Sequence, residues 1–256
     1  MDVVSSSAVG MGEGHVAPRA LREDEIFEFI GDYAQAARNA IAAGFDGVEI
    51  HGANGYLVDQ FTQDKVNRRT DAWGGSVEKR SRFALEVAKA VVDAVGKERV
   101  GIRLSPWSKF QGMGMEDPVP QFSHLVRGLK VLDLAYLHLV ESRISGNADV
   151  EVTSKIDFAV DIWTKGEGKA TPVFVAGGFR PDSARRAVDE EYRGKDVCVV
   201  FGRYFISNPD LVFRVKEGIE FTKYDRSTFY KAKSEDGYID CKFSKEWDAG
   251  ISKFKL

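Results

Sequence analysis

Short apolar runs alternate along this chain with longer segments whose apolar residues recur every third or fourth position. The runs are Gly47–His51, Val100–Leu104, Ala135–Val140, Pro172–Ala176 and Val197–Phe201. Each is nearly continuous in apolar character with a polar residue close to its C-terminal end, the mark of strands buried on both faces of a parallel sheet. Between them the spacing predicts helices. Ile26, Ile30, Tyr33, Ala37 and Ile41 share one face of a helix from Ile26 to Ala43, which Gly44 is suited to cap. Ser76 is placed to cap another, whose stripe is Phe83, Val87, Val91 and Val95 with Glu78, Lys79 and Arg82 around it. Weaker periodicity predicts helices over Pro120–Lys130, Lys155–Trp163 and Asp182–Glu191. Strands alternating with helices mean an α/β fold.

No repeat, low-complexity run or linker interrupts the pattern, so residues 1–256 are read as a single domain. With 43% hydrophobic residues the chain can bury a sizeable core. A formal charge of −3 offers no electrostatic reason for nucleic acid or a membrane surface as partner. Cys198 and Cys241 lie far apart and outside any CxxC spacing, so neither a disulfide framework nor a metal site is expected. The first residues lack a signal-peptide pattern, and no apolar stretch reaches membrane-spanning length. The expected location is the cytoplasm.

The polar residues at strand ends separate a barrel from an open sheet. His51, Arg103, Gly177–Gly178 and Gly202–Arg203 all sit at or just past the C-terminal ends of strands, where a (βα)8 barrel builds its active site. An open doubly wound sheet also binds ligands there, but no GxGxxG follows an early strand. The barrel is therefore the expected architecture.

Within that set the stretch from His51 to Tyr56 is richest in chemistry. His51 and Asn54 supply N–H donors suited to polarising one carbonyl or nitro oxygen, and the Tyr56 hydroxyl can protonate a carbon. Gly52 and Gly55 let the backbone turn tightly enough to aim all three into one mouth. Singly, each is more often a structural residue. Three within one tight turn at the functional end of a strand favour chemistry. Gly177–Gly178 and Gly202–Arg203 follow consecutive strands and suit a phosphate, cradled by backbone N–H groups and contacted by the Arg203 guanidinium. Two ordinary turns and a surface arginine are the plainer reading. Arg103, a charge ending an apolar strand, calls for a polar or anionic partner and is read as facing a cofactor.

Taken together these residues resemble the old yellow enzyme family of FMN-dependent ene-reductases, in its yeast, fungal and plant branch. The likeness runs through nearly the whole chain, in the segments His51–Leu57, Asn67–Ser76, Arg103–Pro106, Phe201–Asp210 and Tyr224–Tyr230. It implies FMN as cofactor, NADPH or NADH as reductant and a small-molecule alkene as substrate. By the same resemblance His51 and Asn54 bind the activating group of the alkene, and Tyr56 donates the proton. Arg103 then lies against the flavin pyrimidine, Gly178, Gly202 and Arg203 hold the phosphate, and Phe229 and Tyr230 help enclose the site.

The resemblance also aligns the chain's first residues with a segment that family members place just before their fourth strand. The residues before Gly47 read as one loop and one helix. A βαβ unit needs about 30 or more residues, so three earlier βα units do not fit there. The expectation is thus a partial (βα)8 barrel comprising strands 4–8 and their helices. Its open edges would favour self-association or pairing with a complementary N-terminal barrel fragment. Two other functions fit the same residues. One is a non-redox isomerase or cyclase using His51, Asn54 and Tyr56 without flavin; the other is a catalytically silent binding protein.

Overall fold

In the computed structural model, which describes residues 2–12, 14–142, 144–145, 148–149, 155–165 and 171–250, strand and helix alternate as the hydrophobic pattern requires. One sheet contains, in spatial order, β1 (Val48–Gly52), β2 (Val100–Leu104), β3 (Tyr136–Val140), β4 (Val173–Ala176) and β5 (Val197–Val200). Sequence order equals spatial order and the paired strands β1 to β4 run parallel, as in consecutive strands of a βα barrel. Every strand of this sheet lies within one residue of the run that predicts it; four two-residue strands, Val4–Ser5, Arg19–Ala20, Ile144–Ser145 and Ala148–Asp149, pair outside it and are not predicted.

Among the described residues the α-helices are α1 (Glu23–Ala42), α2 (Leu57–Thr62), α3 (Val77–Val95), α4 (Val119–Lys130), α5 (Asp157–Thr164), α6 (Pro181–Arg186), α7 (Arg203–Ser207), α8 (Leu211–Glu217) and the short α9 (Lys245–Asp248). At the start of α1 the Glu25 carboxylate accepts the Arg22 N–H at 2.8 Å, and three acidic residues occupy the positive end of the helix. Ser76 caps α3 by accepting the Lys79 N–H. The α3 stripe is where the core gathers: Phe83 and Val87 are fully buried, and Phe61 of α2 stacks on Phe83 with ring centres 4.2 Å apart. The segment expected to be helical over Asp182–Glu191 is α6 followed by a wider π turn at Ala187–Glu191. No described helix is long and apolar enough to cross a membrane.

The described residues separate into two compact units, Met1–Gly177 with Gly194–Cys198, and Gly178–Arg193 with Val199–Leu256. In the first, α1 packs on α3, α3 on α4 and α4 on α5, a helical layer along the sheet. The second is organised about a buried ion pair. Arg214 Nε lies 2.7 Å from Asp210 Oδ1, while Asp210 Oδ2 accepts from the Ser244 N–H and hydroxyl at 2.9 and 2.6 Å. Asn208 donates to the Tyr204 and Thr222 carbonyls at 2.8 and 2.9 Å. The Asn208-Pro209-Asp210 motif is therefore a structural lock.

One expectation about the strands needs correction. Their two faces are not equally apolar. Val100, Ile102, Leu104, Leu137, Leu139, Val173 and Val175 are fully buried, whereas the alternating positions include Glu49, His51, Arg103, Tyr136 and His138. The cause is the two-residue period of a strand, which sends these polar groups to the face opposite the first set, where Glu49 bonds to His138 and Tyr136. At the end of the sheet, Cys198 of β5 is exposed.

Gly101 makes this second face possible. A Cβ there would fall 2.2 Å from Cζ of the Tyr136 ring, which lies across the glycine and stacks on Phe174 at 4.4 Å. A glycine in a strand interior marks such a close approach. Gly101→Ala should therefore cost about 1–3 kcal/mol of stability through overpacking. In the Gly101→Ala/Tyr136→Ala chain the alanine's own penalty should vanish relative to Tyr136→Ala alone. Urea denaturation of the four chains, followed by circular dichroism, checks this coupling.

Candidate functional site

Strand register determines which side chains meet. His51 is paired with Arg103, Arg103 with His138, and His138 with Phe174, so four adjacent strands present these side chains as one row. Two positions earlier, Glu49, Gly101 and Tyr136 form a second row on the same face. Glu49 links the two, with Oε2 2.9 Å from Nδ1 of His138 and a hydrogen bond from the Tyr136 hydroxyl.

These contacts set the charges. Burial alone would raise the Glu49 carboxyl, but the His138 bond, the Tyr136 hydroxyl and the Arg103 charge outweigh it and hold Glu49 below the usual range. Burial, with Glu49's charge adding to it, pushes the Tyr136 phenol above its ordinary value. His51 is lowered, first by burial and then by the positive charge of Arg103. It is thus a neutral imidazole at pH 7, able to donate one N–H without carrying a full charge. Arg103 is itself lowered by burial, with Glu49 opposing.

Past the end of β1 the backbone turns through Asn54 and Gly55, with φ of 57° and 75°. Tyr56 follows with 52% of its surface exposed, its ring centre 5.0 Å from that of His51. The three residues singled out in the sequence are thereby gathered on one short segment, with Arg103 on the neighbouring strand. Asn54 Oδ1, Arg103 Nε and His138 Nε2 are buried yet have no hydrogen-bond partner among the described residues. Leaving such atoms unsatisfied is costly, and a bound group bearing complementary atoms would remove the cost. An acceptor-rich heterocycle edge, such as the pyrimidine edge of a flavin, fits the unpartnered Arg103 N–H.

The other expected residues are distributed as follows. Gly177 follows β4 and ends the first unit's main segment. In the second unit, Gly178 has φ of 64°, and Gly202 precedes α7 with open space where a side chain would lie. Arg203 opens α7 with its guanidinium 5.2 Å from the Tyr224 ring centre. Phe229 stacks on the same Tyr224 ring at 5.5 Å, while Tyr230 is 85% exposed with φ of 57°. An open glycine directly before a basic side chain, as at Gly202–Arg203, suits a phosphate. Sequence reasoning did not single out Glu49, Tyr136, His138 or Asp59. The readable signals were an acidic residue inside an apolar strand and a glycine at the centre of its neighbour.

Comparison with known proteins gives a consistent family. The model of the NADH:flavin oxidoreductase / NADH oxidase family matches residues 2–222. A chanoclavine-I aldehyde reductase, fgaOx3 of Penicillium roqueforti, is 60% identical over 250 residues, covering 98% of this chain and 67% of that protein. A probable inactive dehydrogenase, easA of Claviceps purpurea, is 56% identical over 246 residues, covering 95% of this chain and 65% of that protein. Among solved structures, morphinone reductase superposes with a TM-score of 0.85 at 35% identity, covering all of this chain and 69% of that one. The old yellow enzyme homologue from Zymomonas mobilis gives 0.83 at 35% identity, over 94% and 68% of the two chains. This chain thus spans about two thirds of the length of these relatives. The resemblance read from the motifs, and the partial-barrel architecture it implied, are borne out.

The electrostatics of the row can be checked directly. The His51 imidazole should titrate below the ordinary histidine value of about 6.5. Because Arg103's charge is one of the causes, Arg103→Met should move that midpoint upward. NMR titration of the imidazole carbon-bound protons in both chains measures it; an unchanged midpoint would mean Arg103 does not act on His51.

Proposed function

This chain belongs to the NADH:flavin oxidoreductase / NADH oxidase family, and from that premise we propose that it reduces activated C=C bonds of α,β-unsaturated carbonyl or nitro compounds, with FMN as cofactor and NADPH or NADH as reductant. FMN is the flavin of this family. The observation that carries the reading is the partly exposed Tyr56 hydroxyl side chain beside His51, on the turn that also bears the unsatisfied Asn54 carboxamide. An aldehyde is the favoured activating group, since a relative is named an aldehyde reductase.

In this reading His51 and Asn54 hold the carbonyl oxygen and draw electron density toward it. Among the described residues the Asn54 oxygen has no hydrogen-bond partner, so the carboxamide can turn its NH2 toward substrate. The neutral state of His51 keeps a donor in place without the desolvation cost of a buried cation. Tyr56 delivers its proton to the α-carbon as negative charge builds there, and its solvent exposure leaves a route for reprotonation. Arg103 Nε–H would hold the flavin pyrimidine, while Gly177, Gly178, Gly202 and Arg203 would hold the phosphate. Phe229 and Tyr230 would line the substrate pocket. Bound FMN supplies the hydride. Among the described residues β1 ends the sheet, and its outer edge is suited to a second copy or to a complementary N-terminal barrel fragment.

The test is spectroscopic. With FMN added, the purified chain should show a flavin spectrum that NADPH bleaches and an unsaturated aldehyde restores. Tyr56→Phe should leave the bound spectrum in place but slow the restoring step by about 10²-fold or more, the usual worth of a positioned acid. A chain that takes up no FMN sinks the redox reading. A colourless chain that nevertheless isomerises a substrate under Tyr56 control would transfer the same three residues to non-redox acid–base chemistry.

A further inference from the structure

The turn that presents Tyr56 is held by a buried carboxyl group that the chemistry above does not use. Asn54 and Gly55, both in the left-handed region, leave backbone N–H groups that need acceptors. The Asn54 N–H donates to Ser105 Oγ at 2.8 Å, and the Gly55 N–H to Asp59 Oδ2 at 2.9 Å. From the other side Gln60 Nε2 donates to the Gly55 carbonyl at 2.7 Å. Both backbone polar groups of Gly55, the residue before Tyr56, are thereby pinned. The direction in which the Tyr56 side chain departs follows from where Gly55 is held.

Asp59 is fully buried on α2. Its other oxygen accepts from Gln63 Nε2 at 3.0 Å, and Gln63 Oε1 accepts the Gly114 N–H at 2.9 Å. A continuous line of bonds therefore runs from Gly55 through Asp59 and Gln63 to the loop at residues 110–114. That loop also abuts the turn directly, since a Cβ on Gly55 would fall 2.6 Å from Cβ of Gln111. Each Asp59 oxygen already serves one N–H donor. A carboxylate serves both strongly; a proton on either oxygen turns it into a hydroxyl, a weaker acceptor, and loosens one of the two bonds.

We propose that Asp59 is a positioning residue for Tyr56: its carboxylate fixes the Gly55 peptide and so the direction from which the phenol meets the substrate. The proposal rests on the proton-donor role given to Tyr56 above. The competing reading is purely structural, because an acidic residue in the first turn also favours a helix N-terminus.

Labelling the chain with 15N-glycine and 13C-tyrosine separates the two without substrate or cofactor. Burial pushes Asp59 up to about 7, with the Gly55 and Gln63 bonds pulling it back. As pH falls through that midpoint the Gly55 amide proton should move upfield, and the Tyr56 ring signals should move with it. His51 also faces Tyr56 and titrates, and its midpoint also responds to Arg103 and to Glu49 and His138. Gln63→Leu isolates the Asp59 contribution, because losing that bond should shift the Gly55 and Tyr56 curves together to higher pH. Asp59→Asn should abolish the Gly55 titration and displace the Tyr56 signals.

A Gly55 amide that stays flat between about pH 5 and 9, where a carboxyl of this kind would titrate, overturns the proposal. So does a Tyr56 ring that ignores both variants while Gly55 responds, since Asp59 would then serve the helix alone. In turnover, Asp59→Asn should slow the proton-dependent step with little change in KM, and should slow Tyr56→Phe no further. Additive losses overturn the proposal. If Tyr56→Phe turns over at the parent rate, the proposed function fails, while the titration still decides the role of Asp59.

Discussion

Parallel register is the constraint on which the site depends. The match of His51 with Arg103, and of Arg103 with His138, puts three polar side chains on adjacent strands in one row. A strand's side chains alternate between faces, so a one-residue slip of β2 would send Arg103 into the helical layer and bring Ile102 or Leu104 to the site. The fully buried Val100, Ile102 and Leu104 forbid that slip by their own packing. Hydrophobic contacts on one face therefore pay for polar alignment on the other. The glycine at 101 belongs to the same arrangement: it admits the Tyr136 ring across the strand and so lets its hydroxyl reach Glu49.

Much of this was legible in the sequence, for identifiable reasons. The apolar runs of β1 to β5 and the α3 stripe are periodic over enough residues to outweigh local noise, and Ser76 announced its helix by capping chemistry. His51, Asn54 and Tyr56 were legible because they lie within one turn, so no long-range geometry was needed to bring them together. Glu49 and His138 were not. They are 89 residues apart, and only the pairing of β1 with β2 and β2 with β3 makes them neighbours. Each read alone as a polar interruption in an apolar strand. Asp59 was hidden differently: α2 is only six residues long, too short for its periodicity to show.

The same limit explains the correction to the strand faces. Runs such as Tyr136–Val140 look continuously apolar because tyrosine and histidine have apolar bodies with polar tips. Composition counts the body; the fold uses the tip. The Tyr136 ring stacks on Phe174 while its hydroxyl bonds to Glu49, so one side chain serves both purposes. A sequence pattern that assigns one character per residue cannot separate them.

The two inward carboxyl groups show how environment assigns different states to similar chemistry. Glu49 meets an imidazole, a phenol and the Arg103 charge, and these overcome its burial, so it remains ionised well below neutral pH. Asp59 meets two neutral N–H donors, which do not overcome its complete burial, and its carboxyl is pushed up to about 7. The first is therefore a fixed charge. It bonds to His138 and opposes the effect of Arg103 on His51. The second sits close to its own balance point, accepting the N–H of Gly55, the residue before Tyr56. Permanent charge on the sheet sets the electrostatics of the row, while the buried carboxyl on α2 governs the geometry of the turn.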